Sequence, residues 1–456
     1  MTVSPEPVSL RLVFAPVAEG AVLRWEAAVL GVRTSRIRNP VPAAELALVL
    51  RALDVLQDPA YPQAWNADQA RHFSFTAEEQ SCLAALDLWS DAERVPANAP
   101  RRVGRRLFRA LTADPVAAQA LATVRDHATA LGQPLALELC FPPGATALAA
   151  LPWELLWDDG PLPLLLGAGV IGGIARRLDL PQALPPARRA SGPLRILAIS
   201  PQAGIAAELR QVERAARLEA WQPLVAAGRA VINEVEPASR VALVQALGVG
   251  APPDVIHFYG HGRYLAGEGA LLLDDGPGSA WTPASTLAAL FGGVSLVVLQ
   301  ACQGAMLGPG EPLLAGVAQA LCAAGVPAVL GMQFTVRAYA ATRAAAVLYQ
   351  ALAAGRSLQD ALALARRALF VEERDRASWF VPALYLRDRA SGAFYLRPSV
   401  ATTRPDPSAP PAARQTVLAR GGVIRALRIQ GRAGSAQRVV ALDGGRISGV
   451  TIEDRT

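Results

Sequence analysis

Short β-rich runs alternate with helical patterns through the middle of the chain, and few folds accommodate that order. The β-rich runs are LRILAIS (194–200), AVINEVE (230–236), DVIHFYG (254–260), SLVVLQA (295–301) and AVLGMQF (328–334). Between them, apolar residues recur at helical spacing, as in IAAELRQVERAARLEAW and PLLAGVAQALCAAG, which predicts helices. Strands joined by crossover helices form a mainly parallel, doubly wound sheet. The segment therefore predicts an α/β fold with flanking helices.

Two Pro-rich stretches, 179–193 and 397–414, interrupt the chain. Proline supplies no amide donor and favours extended backbone, so both stretches are predicted to be linkers. They divide the 456 residues into an N-terminal region of 1–178, a core of 194–396 and a C-terminal segment of 415–456. At about 100–200 residues per domain, a chain of this length is expected to hold two or three domains.

The two outer parts carry weaker structural signals than the core. In the N-terminal region, VSLRLVFAP and AVLRWEAAVLG have the pattern of a β-hairpin, and helical periodicity covers about 42–57 and 103–132. These signals predict an α+β region.

In the C-terminal segment, residues 416–432 align with 439–455 at an offset of 23 residues. Glycine pairs followed by alternating apolar residues predict a small β-repeat module there. Because stacked repeats usually need about three copies, we expect the module to complete its core against a partner, a second copy or the rest of the chain.

The basic residues are all arginine, and this excludes several kinds of chemistry. A Walker A loop and Schiff-base or pyridoxal-phosphate catalysis each need a lysine, and the sequence has none. The net charge of +6 lies mostly in residues 398–456, which hold nine Arg and four acidic residues. No aromatic residue is present there for a base to stack on. Only salt-sensitive attraction to phosphates remains, so a nucleic-acid partner is not expected.

The sequence has four cysteines and no CxxC pair: Cys82, Cys140, Cys302 and Cys322. That pattern argues against a disulfide framework and a structural zinc site and suits a reducing cytoplasm, so no metal or other cofactor is expected. The first residues show no signal peptide. Two charge-free stretches, 276–310 and 312–336, are broken repeatedly by Gly and Pro. We interpret them as buried core, and no membrane association is expected.

Residues suited to thiol chemistry directly follow two of the predicted strands. DVIHFYGHG places His261 and Gly262 just past the strand 254–260, and LVVLQACQG places Cys302 at the end of the strand 295–301. Sites in open α/β sheets form outside the carboxyl ends of the strands, so neighbouring strands would bring His261 and Cys302 together. Acyl transfer needs a thiolate, a proton shuttle and oxyanion donors. Gly262 lacks a Cβ, so its amide can approach a tetrahedral intermediate, and the Cys302 amide would be the second donor.

The motif QACQG (300–304) matches the caspase nucleophile signature Q-A-C-[RQG]-G, with a His-Gly pair upstream. The surrounding sequence resembles the CHAT family of bacterial caspase-like cysteine peptidases, in its order: DVIHFYGHG, GALLLDDG, SLVVLQAC, GVAQALCAAGVPAVLGMQF, VLYQALAAGRSLQDALALARRAL and VPALYL. LPWELLWDD followed by IARR resembles the segment that precedes the CHAT core. The resemblance covers about 145–396 and excludes the C-terminal segment.

The resemblance implies a caspase-like fold and a cysteine endopeptidase that cleaves a protein substrate through an acyl-enzyme. Cys302 would be the nucleophile and His261 its proton shuttle; the sequence names no third residue that orients His261. The family favours a basic residue before the scissile bond, which needs an acid in the S1 pocket. Three acidic residues are candidates, although they suit a turn and a helix start equally well: Asp274, Asp275 and Glu311.

A free cytoplasmic protease is hazardous, so we expect a regulatory protein or ligand to act on 1–178 or 415–456. A bacterial defence or cell-death pathway is implied by the resemblance alone. No Arg or Lys lies between Cys302 and Arg337, so an enzyme specific for basic residues is expected to remain a single chain. The alternative is a catalytically weak scaffold or interaction protein on the same fold. The presence of both His261 and Cys302 argues against it, because a lapsed enzyme has no chemical need for either.

The remaining histidines and cysteines are expected to be structural. His257 lies inside a strand and Cys322 inside a helical pattern, which favours packed core positions. The others show no partner spacing: Cys82, Cys140, His72 and His127.

Overall fold

The computed structural model divides the chain into two compact units, residues 1–399 and 400–456. In the first unit it describes residues 7–166, 171–180, 193–203, 205, 207–248, 252–265, 267–275, 280–302, 316–372 and 378–387. In the second unit it describes the backbone of residues 415–420, 423–425, 428–432, 437–442, 446–448 and 451–455.

The N-terminal part of the first unit contains five strands and six α-helices among its described residues. The strands are β1 (Val8–Val17), β2 (Gly20–Ala27), β3 (Gly31–Arg38), β4 (Leu135–Phe141) and β5 (Ile171–Leu178). The helices are α1 (Leu46–Val55), α2 (Ala67–Phe73), α3 (Ala77–Ala85), α4 (Ala99–Thr112), α5 (Pro115–Ala130) and α6 (Thr146–Ala149). The predicted helical stretch 103–132 is two helices, because Asp114 caps the second one, accepting a hydrogen bond from the Val116 amide, and Pro115 begins it.

The following part of the first unit alternates strands and helices as the sequence predicts. Its strands are β6 (Leu194–Ile199), β7 (Ala230–Val235), β8 (Val255–Tyr259), β9 (Gly262–Leu265), β10 (Glu268–Leu273), β11 (Ala280–Pro283), β12 (Leu296–Gln300), β13 (Ala328–Met332) and β14 (Pro382–Leu386). Its helices are α7 (Ala207–Ala226), α8 (Arg240–Gly248), α9 (Ala284–Phe291), α10 (Val317–Ala323), α11 (Ala338–Ala353) and α12 (Leu358–Glu372).

Eleven of these strands form one sheet, in the order β3-β2-β1-β4-β5-β14-β13-β12-β8-β6-β7. Neighbours are antiparallel at β1–β2, β2–β3 and β13–β14 and parallel elsewhere. Every residue of β8, β12 and β13 is buried, which explains why these strands are continuous apolar runs. The prediction of an α/β fold with a mainly parallel, doubly wound sheet is confirmed.

The sheet extends through both predicted parts of the first unit. Strand β5 of the N-terminal region pairs with β14, whose other neighbour is β13. The boundaries proposed at 178 and 194 stay a prediction, and the backbone on both sides of them belongs to one sheet. A second, antiparallel sheet has the order β11-β10-β9 and follows β8 directly. No described helix is both long and apolar enough to cross a membrane.

The second unit pairs the two sequence repeats with each other. Its strands are β15 (Gln415–Arg420), β16 (Val423–Arg425), β17 (Arg428–Arg432), β18 (Gln437–Leu442), β19 (Arg446–Ser448) and β20 (Thr451–Arg455). Each strand of the first copy runs parallel to its counterpart in the second: β15 with β18, β16 with β19 and β17 with β20. The two copies of the repeat therefore pair strand by strand, and the proposal that a partner completes the core of the module stays a prediction.

Candidate active site

The register between β8 and β12 sets the positions of the two predicted catalytic residues. The strands are parallel, and their last residues, Tyr259 and Gln300, are paired. His261 follows Tyr259 by two residues, and Cys302 follows Gln300 by the same number. Because the carboxyl ends of parallel strands share one edge of a sheet, both residues reach that edge at the same level.

The backbones beyond the two strands remain in contact. The Gly260 amide donates a hydrogen bond to the Gln300 carbonyl at 3.2 Å. A Cβ placed on Gly262 would lie 2.5 Å from the Cys302 carbonyl oxygen, so only glycine fits there without a backbone shift. The His261 carbonyl accepts from the Leu272 amide at 3.0 Å, which fixes this turn to the small sheet. Glycine is thus required at 262 by close packing, and its role as an oxyanion donor stays a prediction.

The Cys302 thiol is partly buried, whereas His261 is exposed. Cys302 Sγ lies 4.0 Å from the Val336 carbonyl oxygen, toward which the thiol can donate. Burial raises the pKa of the Cys302 thiol; the Asp54 charge raises it further, and the contact with Val336 opposes the shift. Burial therefore favours the protonated form of this sulfur, and its role as a nucleophile stays a prediction.

Asp54, at the end of α1, reaches the segment that contacts Cys302. Its carboxylate accepts from the Thr335 amide at 2.6 Å and from the Thr335 hydroxyl at 3.2 Å. His72 Nε2 lies 3.2 Å from the same carboxylate. Two residues after Thr335, Arg337 Nε donates to the Gln57 carbonyl at 2.9 Å. Sequence reasoning missed Asp54, because no local pattern signals a contact across 281 residues.

A buried polar network holds the beginning of the same segment. Gln333 follows β13 directly, and its side chain accepts from Arg176 Nη2 at 2.6 Å and donates to Glu154 Oε2 at 3.0 Å. It also donates to the Phe380 carbonyl at 3.2 Å. Glu154 belongs to LPWELLWDD and Arg176 to IARR. The two motifs therefore meet at the end of β13.

Asp274 and Asp275, two of the predicted S1 acids, bind backbone of the core. The Asp274 carboxylate accepts from the amides of Gln202, Ala203 and Ala238 at 2.9–3.0 Å. Asp275 accepts from the Arg240 amide at 2.8 Å, and its other oxygen lies 2.7 Å from Arg240 Nε. These contacts give both carboxylates structural roles and lend no support to an S1 role, which stays a prediction. Glu311 lies outside the described residues.

Glu213, on α7, is a second residue that sequence reasoning missed. It is 5% exposed, and neither carboxylate oxygen has a hydrogen-bond partner of regular geometry among the described residues. Burial raises the pKa of the Glu213 carboxyl, and the Tyr259 hydroxyl and the charges of Arg217 and His261 oppose that shift. The charge of His261 thus favours the ionised form of Glu213.

The sequence was compared with models of known protein families. The family model described as the CHAT domain matches residues 101–409, about two-thirds of the chain. The chain belongs to the CHAT family. The match begins earlier than the resemblance at 145–396 indicates, and it leaves α1 outside. Among curated proteins, none matches the sequence.

Several solved structures resemble this CHAT protein at low identity. The separase of the Saccharomyces cerevisiae separase–securin complex is 12% identical, with a TM-score of 0.43 over 83% of this chain and 30% of that chain. The Arg-specific cysteine proteinase gingipain R is 12% identical, with a TM-score of 0.39 over 68% of this chain and 70% of that one. The complex of Porphyromonas gingivalis RgpB pro- and mature domains is 11% identical, with a TM-score of 0.39 over 63% of this chain and 72% of that one. The CHAT chain thus spans less than a third of the separase it matches.

His257 lies within the CHAT domain but belongs to its core. It is fully buried, with Nε2 2.8 Å from Gln300 Oε1 and Nδ1 2.9 Å from the Tyr349 hydroxyl. The Gln300 amide nitrogen donates to the Ala341 carbonyl, so Oε1 accepts from His257 and Nδ1 accepts from Tyr349. Burial, with a smaller contribution from the Arg217 charge, lowers the pKa of His257 to about 3. The prediction that His257 is a packed core residue is confirmed.

Two other cysteines of the CHAT protein, Cys322 and Cys140, are core residues. Cys322 is buried, and burial raises the pKa of its thiol to about 12. Cys140 is buried too, and its sulfur accepts from Arg11 Nε at 3.1 Å. The described residues contain no group of His, Cys, Asp and Glu that could hold a metal ion.

A cavity of about 270 Å³ opens at the carboxyl ends of β6 and β7. Its charged lining residues come from α7 and β7 and the residue after it: Arg210, Arg214, Arg217, Glu234 and Glu236. Arg214 pairs with Glu234, and Gln202 donates to Glu236 at 2.6 Å. The cavity therefore presents charges of both signs beside Tyr259.

Proposed function

We propose that this CHAT protein is a cysteine endopeptidase in which Cys302 is the nucleophile and His261 the proton shuttle. The observation that carries the proposal is the contact between the two loops at the carboxyl ends of β8 and β12. There, Gly262 lies against the Cys302 carbonyl. The strand ends Tyr259 and Gln300 are paired, and His261 and Cys302 each follow by two residues at the same edge of the sheet. Family membership supports this assignment, since QACQG and the upstream His-Gly pair both fall within the CHAT match.

The raised pKa of the Cys302 thiol defines the first step. His261 takes the thiol proton, directly or as the substrate carbonyl approaches, and the sulfur forms a bond to the carbonyl carbon. The Gly262 and Cys302 amides donate to the oxyanion. When the C–N bond breaks, His261 gives its proton to the leaving amine. Water then cleaves the thioester, releases the new carboxyl group and restores the thiol.

The substrate in this proposal is a protein with a basic residue before the scissile bond. The preference comes from the family, and the described acids do not identify its pocket. Regulation by a protein or ligand acting on 1–178 or 415–456 belongs to the same proposal. Burial raises the pKa of the Cys302 thiol, which disfavours the thiolate in the chain by itself.

A panel of fluorogenic peptides with varied P1 residues tests the proposal. Wild type should cleave peptides with Arg or Lys at P1, whereas Cys302→Ala and His261→Ala should lose activity. Cys82→Ala is the matched control, since Cys82 is a partly exposed cysteine on α3, and it should retain wild-type rates. Cleavage that survives Cys302→Ala would contradict the proposal.

If no variant cleaves, a thiol-directed peptide probe separates a latent enzyme from a scaffold. Labelling of wild type but not of Cys302→Ala would support a latent peptidase. Absence of labelling in both proteins would favour the scaffold and overturn the peptidase.

A further inference from the structure

We infer that Asp54 is a positioning residue that holds the segment 335–337 against Cys302. The inference rests on the proposed function and extends the site to α1, outside the CHAT match at 101–409. In this arrangement α1 and the turn after it complete the active site.

The Asp54 carboxylate is buried, and its partners are Thr335 and His72, whose Nε2 lies 3.2 Å away. The residue is 7% exposed, and it accepts from both the amide and the hydroxyl of Thr335, at 2.6 and 3.2 Å. A charged acceptor makes such hydrogen bonds stronger than neutral ones, and a buried carboxylate left without them is costly. Thr335 is therefore fixed at two points by a residue far away in the sequence.

The rest of the segment is fixed on either side of Val336. Gln333, which precedes it, is held by Glu154 and Arg176 in the interior. Arg337, which follows it, donates to the Gln57 carbonyl one turn beyond Asp54. With both flanks held, the Val336 carbonyl is placed at 4.0 Å from Cys302 Sγ. The position of that carbonyl thus depends on α1 as well as on the sheet.

This dependence has a chemical consequence at the nucleophile. The segment follows the carboxyl end of β13, which is the neighbour of β12, so a peptide on Cys302 would lie beside it. Displacement of a reacting group by about 1 Å costs on the order of 100-fold in rate. Loss of the Asp54 contacts would expose the thiol and at the same time misplace the wall of the site. A regulator that moves α1 would act through this contact.

Alkylation of Cys302 by iodoacetamide tests the placement without requiring catalysis. The full-length chain is treated over a range of pH, and modification of Cys302 is measured by mass spectrometry. Asp54→Ala should speed alkylation about tenfold, because the segment opens locally. Asp54→Asn keeps an oxygen acceptor for Thr335 while removing the charge, so it should give a smaller increase. Asp58→Ala is the matched control and should behave as wild type, because among the described hydrogen bonds the Asp58 carboxylate accepts only from Ala60 and Gln69.

Peptide cleavage provides the second readout. Asp54→Ala should lose on the order of 10- to 100-fold in kcat/KM, mostly in kcat, with partial rescue by Asp54→Asn. Faster alkylation together with slower cleavage is the signature of positioning. Thr335→Val removes only the hydroxyl contact, so it should also speed alkylation and slow cleavage. It replaces Asp54→Ala in both measurements if that variant does not fold.

Two results would overturn the inference. One is alkylation at the wild-type rate in Asp54→Ala and Thr335→Val; the other is an identical effect of Asp54→Asn and Asp54→Ala, which would assign the role to charge alone. If wild type neither cleaves a peptide nor is labelled by the thiol-directed peptide probe, but alkylation responds as expected, the peptidase proposal fails and the positioning by Asp54 stands.

Discussion

Arg176 binds both carboxylate oxygens of Glu154 in the interior of the first unit. Its Nε and Nη2 donate at 2.9 and 2.5 Å, and both side chains are at most 2% exposed. The guanidinium also donates to the carbonyls of Ala149 and Leu151. A buried ion pair is tolerated when further hydrogen bonds satisfy its remaining donors and acceptors. The motifs that carry the two residues are therefore one structural unit.

Breaking this pair should be strongly destabilising. Glu154→Gln leaves the Arg176 charge buried and uncompensated, which costs about 3–5 kcal/mol in the free energy of unfolding. Urea denaturation of the full chain measures it. Asp68→Asn is the control, since the Arg71–Asp68 pair is exposed and should contribute nothing measurable. Similar losses in the two variants would contradict this account of the network.

Protonation of His257 should make stability depend on pH. Burial lowers its pKa from 6.5 to about 3 in the folded chain, so between these values the unfolded chain binds more protons. Stability therefore falls as the pH decreases from about 6.5 towards 3, by up to about 1.4 kcal/mol per pH unit from this group.

The variant His257→Gln isolates that contribution. It should be less stable than wild type near pH 8, because the contacts with Gln300 and Tyr349 are lost. Its stability should decline less than that of wild type between pH 6.5 and pH 4, and thermal unfolding at each pH measures both effects. An unchanged slope would show that other groups dominate the acid response.

The central sheet was predictable from sequence because its strands are buried on both faces. Strands such as β8 and β12 need apolar residues at every position, which leaves continuous runs between helical patterns. His261 and Cys302 lie just beyond the ends of those runs, and this position made them recognisable in the sequence as a candidate site.

The parts that sequence reasoning missed depend on contacts between distant segments. Asp54 and Glu213 lie on helices whose periodicity gives no sign of their partners. The small sheet β9–β11 consists of four- to six-residue strands, too short for a periodic signal. Asp274 matched the chemistry of an S1 acid, but its carboxylate binds three backbone amides. Only the folded chain distinguishes such acids from those free to bind substrate.

A side chain at Gly262 should impair the site without unfolding the chain. In Gly262→Ala the new Cβ would approach the Cys302 carbonyl to 2.5 Å, so the backbone of one of the two loops must shift. We expect kcat/KM for peptide cleavage to fall on the order of 100-fold. Gly248→Ala is the matched control, because a Cβ there meets no atom within 4 Å. Equal activity of the two variants would show that the loops tolerate the displacement.

Glu213 should oppose stability and support activity. Its raised folded pKa means that protonated Glu213 is compatible with the core, whereas ionisation is costly there. The corresponding stability is complete below the unfolded pKa of a carboxyl and is lost as the pH rises through the folded value. The variant Glu213→Gln cannot ionise at this position. Its free energy of unfolding relative to that of wild type should therefore increase as the pH rises from 4 to 8.

Activity of the same variant shows whether Glu213 acts on His261. A carboxylate near His261 would stabilise the imidazolium that forms when the Cys302 proton is transferred. Glu213→Gln should therefore lower kcat while raising the melting temperature, the opposite of what damage to the fold would do. The measurements are kcat and KM over pH 6–9 together with thermal unfolding at each pH. A variant that is more stable and equally active would mean that the buried acid has no part in the reaction and that His261 works without it.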